Sequence, residues 1–480
     1  MVQRKGIFLI RMTSRSRTDS EKALHDIWAV AQLDSEALEW INMKGEEPAL
    51  PSTYKTGVCA QSSIAAAGLA AAELWRHRTG EIQTVTVNMK EAAMAFRSER
   101  YAELDGSPVR KEPDSIHGFY RCGDGGWIQI HSNYPNHRDG VVKALGCEAS
   151  REGVAGKLTN LKASTAEDLL TGFALPAGMM RTPEEWSRHP QSLALSELPL
   201  LEIEKIGDGP PIEFTSDPQR PMEGVRVLEM TKVIAGPVIG RTLAEYGAEI
   251  LWINGPHLDV IEDLVLDMSR GKYPAELDLR YQNGRSKLRE LASEADVFIQ
   301  GYRPGSIASR GFSPEDLSEI RPGIICVELS AFSHLGPWAH RRGFDSIVQT
   351  VSGIGYEGGK AAGLEGMVHL PCQALDHATG YLGAFGAMVA LMHRAEEGGS
   401  WRVRVSLAQT GKWLTSLGRA NHMDVTEIPR EEIEAFLQSE HSPYGNISYT
   451  RPAAVLSQTP SFWEPVSSPF GTYEPKWRAE

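Results

Sequence analysis

Between positions 224 and 330 short apolar runs alternate with amphipathic periods. Positions 225–230, 249–253, 297–300 and 324–329 read as strands, and 238–246 and 285–293 as helices. Short continuous apolar strands alternating with helices predict an α/β domain with an open parallel sheet covered on both faces. A second pattern dominates 370–394. Tyr381, Phe385, Met388 and Met392 fall at helical spacing with Leu382 and Val389 beside them, so this helix is buried up to the break at Glu396-Glu397-Gly398-Gly399. Gly380, Gly383, Ala384, Gly386 and Ala387 leave room on it for another backbone or a flat ligand. Asp376 stands at its mouth, facing the amide hydrogens of the first turn.

Upstream, 21–45 reads as polar helices anchored by Trp28 and Trp40, 46–57 as a loop, 62–78 as an Ala-rich helix and 83–88 as an alternating strand. This order of helix, glycine turn, strand and helix repeats that of the Asp376 segment. Gly80 with Gly398, Val85 with Val403, and Asn88 with Ser406 coincide under one offset, which predicts an internal duplication whose first copy lacks the acid. Positions 113–215 differ in texture. A hairpin around Gly123-Asp124-Gly125-Gly126 followed by helices predicts a smaller α+β domain, closed by a Pro-rich linker over 207–221. The expected division is 1–50 (tail and helices), 51–112 (partial first copy), 113–221 (small domain and linker), 222–415 (sheet domain) and 416–480 (C-terminal segment).

Composition narrows the partners. The chain of 480 residues carries a formal charge of -13, which argues against nucleic acid but leaves room for a small anion held by local arginines. Five irregularly spaced cysteines form no CxxC or Cys/His cluster, which predicts reduced thiols, a cytoplasmic location and no metal or redox cofactor. No apolar run is read as spanning a membrane. The start of the chain carries Arg4, Lys5, Arg11, Arg15 and Arg17 around an apolar core too short for a secretory signal, and reads as a tail.

Ligands of open parallel sheets sit at the carboxyl ends of the strands. Lys232-Val233-Ile234-Ala235-Gly236-Pro237, Gly255 and Gly301-Tyr302-Arg303-Pro304 occupy those ends, without a GxGxxG or GxxxxGK[ST] signature. Arg280, Arg303 and Arg342 on one rim suit a polyphosphate. The stretch 353–359 (GIGYEGG) reads as a flexible connector, and His369 and His377 flank Asp376 without a third metal ligand. From these residues alone Asp376 reads first as an N-cap, with Thr379 in the first turn.

The runs 225–253 (VRVLEMTKVIAGPVIGRTLAEYGAEILWI), 275–280 (AELDLR), 295–305 (ADVFIQGYRPG) and 342–353 (RGFDSIVQTVSG), together with LDHATGYL around Asp376, resemble in order the family III CoA transferases, which include formyl-CoA and carnitine CoA transferases and acyl-CoA racemases. The resemblance implies a Rossmann-like domain with a smaller α+β domain and coenzyme A or acyl-CoA as substrate. It implies a carboxylic acid as second partner and a homodimer, which the duplicated chain imitates in part. It places the nucleophile on Asp376 and CoA contacts on Val233, Ile234, Ala235, Leu277, Arg280, Gly301, Tyr302, Arg303 and Arg342. The implied reaction runs through aspartyl mixed anhydrides and an aspartyl-CoA thioester, with backbone amides of the helix start and the glycine loop as oxyanion donors. Phe344 occupies the position of the racemase branch's catalytic histidine, which disfavours racemisation. Asn254-Gly255 replace an acid and arginine, and the turn 123–126 is shorter than the family's Gly-rich lid. Two alternatives stay open, a racemase or lyase on the same fold and a non-catalytic CoA-binding subunit.

Overall fold

A computed structural model describes residues 17–478. The basic leader read at the start of the chain lies, apart from Arg17, outside them. Its organising element is a seven-stranded sheet. In chain order the strands are β1 (Glu202–Gly207), β2 (Arg226–Met230), β3 (Glu249–Asn254), β4 (Lys272–Glu276), β5 (Val297–Gln300), β6 (Ile325–Ser330) and β7 (Ser400–Ser406). They lie side by side as β4-β3-β2-β5-β6-β7-β1, all parallel except β1, which runs antiparallel to β7. Alternation along the strands feeds two cores. Val227, Val297, Ile299, Ile325 and Val327 face one side, and Leu228, Leu251, Phe298 and Cys326 face the other. Apolar residues on both faces are what a sheet covered on both sides requires.

Two edge strands depart from the sequence reading. Positions 272–276 lacked an alternating signal because Pro274 interrupts them, yet β4 pairs only with β3, so a missing ladder donor is tolerated at this edge. Positions 202–207, assigned to the small domain and linker, form the opposite edge. There Glu202 and Glu204 meet Arg402 and Arg404 across the ladder, a charged pairing that blunts further strand addition.

The helix Ala374–Glu397 crosses the first face, and every residue from Ala374 to Met392 in it is buried. Its small residues admit a helix, not a ligand. A Cβ on Gly380 would lie 2.5 Å from Val238, and one on Gly383 would lie 2.8 Å from Ile239, both on the helix Ala235–Glu245. Beneath it packs the Ala-rich helix Thr56–Thr79, longer at its start than the expected 62–78. By length and composition this second helix could cross a membrane, contrary to the reading that no run reaches that length, but its apolar window is wholly buried inside the protein.

The expected boundaries at 50, 112 and 416 are crossed by strand pairing. Val85–Asn88 runs parallel to Ile41–Lys44 on one side and antiparallel to Ala454–Leu456 on the other. Residues 103–108 join 437–450 in a four-stranded sheet, and 52–54 pair with 419–422. The C-terminal segment therefore completes the layer begun by residues 17–112. Residues 35–44, read as helical, are a 3-10 turn (Ser35–Trp40) and a strand. The small domain holds the hairpin Gly118–Arg121 and Trp127–Ile130, the strand Ala177–Met179, and a separate core of Ile128, Val141, Leu158 and Leu170 with their neighbours.

Candidate active site

From β2 the chain builds outward through β3 and β4, then returns to lay β5 on the other side of β2. This reversal opens a crevice at the carboxyl ends of β2 and β5. A cavity of about 520 Å³ fills it, walled by the sheet domain and by Tyr134, Asn136 and His137 of the small domain. Val233, Ala235, Leu277, Arg280, Gly301, Tyr302, Arg303, Arg342 and Asp376 all line it. Ile234 is the exception. It is buried behind the wall, and its carbonyl accepts from Val238 N to open the next helix. Its neighbour Val233 holds φ 64, a left-handed conformation that a β-branched residue adopts only under strain, at the point where the backbone turns into the cavity.

Asp376 is not an N-cap. The helix begins at Ala374 with Gln373 as its cap residue, which places Asp376 third in the first turn. The capping work falls to Asp345 from another helix, whose Oδ2 accepts from Leu375 N (2.8 Å) and Asp376 N (3.0 Å). Gln349 donates to the other Asp345 oxygen. The Asp376 carboxyl is thus relieved of backbone duty, and no described residue donates a hydrogen bond to it. Burial first, then Asp345 and Glu99, hold its pKa well above the ordinary carboxylate value. Asp345 itself is pushed up to about 6, chiefly by burial. Glu99 is held down instead, because His377 Nε2 lies 3.1 Å from its Oε2.

Two expected oxyanion donors are already spent. The first-turn amides of Leu375 and Asp376 are bonded to Asp345. The stretch read as a glycine loop is a helix, Ile354–Ala361. Gly358 and Gly359 in it pack on backbone, where a Cβ would lie 2.1 Å from Val368 O and 2.0 Å from Gly366 O. The short turn 123–126 is turned away from the cavity, with Gly123 against Thr159 O. His369 lies near Thr350 Oγ1 at 3.1 Å and His377 is turned to Glu99, so the histidines flanking Asp376 do not converge.

The residues before the helix Ala374–Glu397 are held by residues 96–100. Arg97 Nε (2.9 Å) and Arg100 Nη1 (2.7 Å) both donate to Pro371 O, and Phe96 stacks on His377 with centroids 5.3 Å apart. Sequence reading placed Lys232 at the carboxyl end of β2 without giving it a role, and missed Tyr134 and His137. Lys232 stands two residues past β2, as Arg303 stands three past β5, so its position alone was a signal. Its ammonium donates to Asp259 O at 2.6 Å, and burial lowers its pKa to about 8. Tyr134 and His137 arrive from a different domain and no local pattern marked them.

Comparison with known proteins agrees with this architecture. The model of the CoA-transferase family III matches residues 29–205 and 222–463. An acetyl-coenzyme A transferase, nodX, of Hypoxylon pulicicidum is 35% identical over 232 residues, covering 47% of this chain and 39% of that protein. An acyl-CoA transferase of Gibberella moniliformis is 30% identical over 310 residues, covering 60% of this chain and 54% of its own. The human succinyl-CoA:glutarate CoA-transferase is 31% identical over 183 residues, covering 36% of this chain and 41% of its own. The chain spans about half the length of the curated relatives it matches. With its matches falling on both sides of the linker, the chain belongs to the CoA-transferase family III.

Proposed function

We propose that this protein transfers CoA from an acyl-CoA donor to a carboxylic acid, with Asp376 as the nucleophile. One observation carries the reading. A buried carboxyl faces the cavity at the sheet's switch point with no hydrogen-bond donor on it among the described residues, while another acid caps its helix. A desolvated carboxylate held beside a thioester is a competent nucleophile. In the proposed sequence Asp376 attacks the thioester carbonyl, the C–S bond breaks and CoA leaves as thiolate, giving a mixed anhydride. The thiolate then attacks the aspartyl carbonyl, releasing the donor acid and leaving an aspartyl-CoA thioester. The acceptor carboxylate attacks that thioester to form a second anhydride and free the thiolate. Attack of the thiolate on the acceptor's acyl carbon gives the new acyl-CoA and regenerates Asp376. Lys232, a cation on the cavity wall, supports stabilisation of the thiolate between steps.

Phe344 supports transfer over racemisation. Its ring stacks on His131 with centroids 3.8 Å apart and offers no group to carry a proton. All five cysteines are free thiols, which supports a reducing, cytoplasmic setting. The test is to incubate the protein with a panel of acyl-CoAs, trap with hydroxylamine or borohydride, and map the modified residue by mass spectrometry. A modification on Asp376 is expected. CoA binding with no adduct from any donor overturns transfer in favour of a non-catalytic CoA-binding subunit.

A further inference from the structure

Five arginines line the cavity, and they differ in what holds them; Arg310 Nη1 donates to Ser306 O at 2.7 Å. Arg280 is clamped by Asp278, with Nε 2.9 Å from Oδ1 and Nη2 2.6 Å from Oδ2. Arg341 Nη2 lies 2.9 Å from Glu167 Oε1. The Arg280 charge is largely cancelled by its carboxylate, whereas Arg341 shares the single charge of Glu167 with Arg181. Arg342 meets no carboxylate among the described residues. Its Nη1 lies 2.7 Å from Nε2 of His137, on the first turn of the small-domain helix Pro135–Leu145. Arg303, close enough to press on both, has no side-chain partner among the described residues.

His137 is buried, with 7% of its surface exposed. Burial, then Arg342 and Arg303, push its pKa down to about 4, so the ring is neutral at physiological pH. A neutral ring that accepts from Arg342 at Nε2 carries its proton on Nδ1, and that nitrogen is buried without a partner among the described residues. The arrangement leaves a donor unsatisfied, a cost that a carboxylate at this position would avoid. What it preserves is charge, because a neutral acceptor fixes a guanidinium without neutralising it. The contact also joins the domains. Phe344, two residues beyond Arg342, lies among His131, Tyr134 and His137 of the small domain.

We infer that His137 is a positioning residue that presents Arg342, beside Arg303, as an uncompensated cationic pair to a phosphoryl group of the CoA substrate. The inference rests on the CoA-transferase reading above. It assigns the rim's electrostatic attraction to Arg342 and Arg303 rather than to Arg280.

The test measures CoA binding by calorimetry to the full chain and to H137L, H137Q and H137E, with pantetheine, which lacks phosphates, as the control. H137L removes the acceptor and is expected to weaken CoA binding by roughly ten-fold or more, the scale of one charge-assisted hydrogen bond. H137Q restores a neutral acceptor and should return affinity to within a few fold of wild type. H137E offers Arg342 a stronger partner but cancels its charge. It should bind CoA no better than H137L and with a shallower dependence on salt. Pantetheine binding should be alike in all four proteins. H137E with wild-type affinity and salt dependence overturns the inference, as does loss of pantetheine binding in step with CoA. A wild-type chain that binds no CoA overturns the functional reading first.

Discussion

The helices Thr56–Thr79 and Ala374–Glu397 start from nearly the same backbone, with Lys55 at φ -72, ψ 68 and Gln373 at φ -78, ψ 63 before them. Neither cap residue supplies a side-chain hydrogen bond, and in both an acid from elsewhere reaches in. Glu47 Oε1 accepts from Val58 N at 2.9 Å, as Asp345 Oδ2 accepts from Asp376 N at 3.0 Å. Val58 and Asp376 occupy equivalent third positions. In the first copy that position holds a valine in an apolar setting, 2% exposed. In the second it holds an acid at the edge of a cavity. The fold therefore builds this helix start without an aspartate at its third position. A carboxyl there, raised in pKa and without a donor among the described residues, is a cost that capping does not explain. Such a perturbed group in a cleft supports the role proposed for Asp376.

The largest effect expected from breaking this comparison is on chemistry. D376A or D376N should abolish covalent adduct formation while CoA binding, read by calorimetry, persists; an adduct on another residue would move the nucleophile. The reverse graft, V58D, should produce no adduct at position 58 and should destabilise the protein by roughly 3 kcal/mol or more in urea melts, because no cavity relieves the buried charge.

The stability of D376N comes next. The Asp376 pKa lies above its ordinary 3.8 in the folded chain, so above pH 3.8 the folded state holds a proton that the unfolded chain has released. Wild-type stability then falls as pH rises until Asp376 ionises. D376N lacks this loss, so its thermal midpoint should exceed that of wild type at pH 8, with the gap narrowing as the pH is lowered toward 4. Equal midpoints across that range would show that burial of Asp376 costs nothing.

D345N probes the neighbour. Asp345, with a pKa of about 6, is charged above that pH and helps hold the Asp376 pKa up. Removing that charge while keeping an acceptor oxygen should shift the rise of adduct formation with pH to lower pH. E47A should have the smallest effect. It should cost about 1 kcal/mol through the lost cap of Thr56–Thr79 and leave adduct formation unchanged.

Much of this was readable because it is local. The strands at 225–230, 249–253 and 297–300 carried enough consecutive β-branched and leucine residues to mark a parallel sheet, and the sheet's carboxyl ends located the cavity. Gly80 and Gly398, which coincide under one offset, each stand just past the end of a long buried helix. What misled was equally local. Seven residues of GIGYEGG read as a connector because glycine lowers helix propensity, yet close backbone packing on Val368 and Gly366 requires glycine there. Residues 454–456 carried no sign that they would pair with 85–87, since strand partners are set by distant segments.

The sequence by itself determined the alternating sheet, the buried helix, the acid at its mouth and the glycines that end the two long helices, because each depends on the order and spacing of neighbouring side chains. Only the tertiary structure decided that Asp345 caps the helix in place of Asp376, that Arg97 and Arg100 secure Pro371, and that His137 of the small domain holds Arg342. Those are contacts between residues far apart in the chain. Their geometry follows from how whole layers pack, and no periodicity within a single segment encodes it.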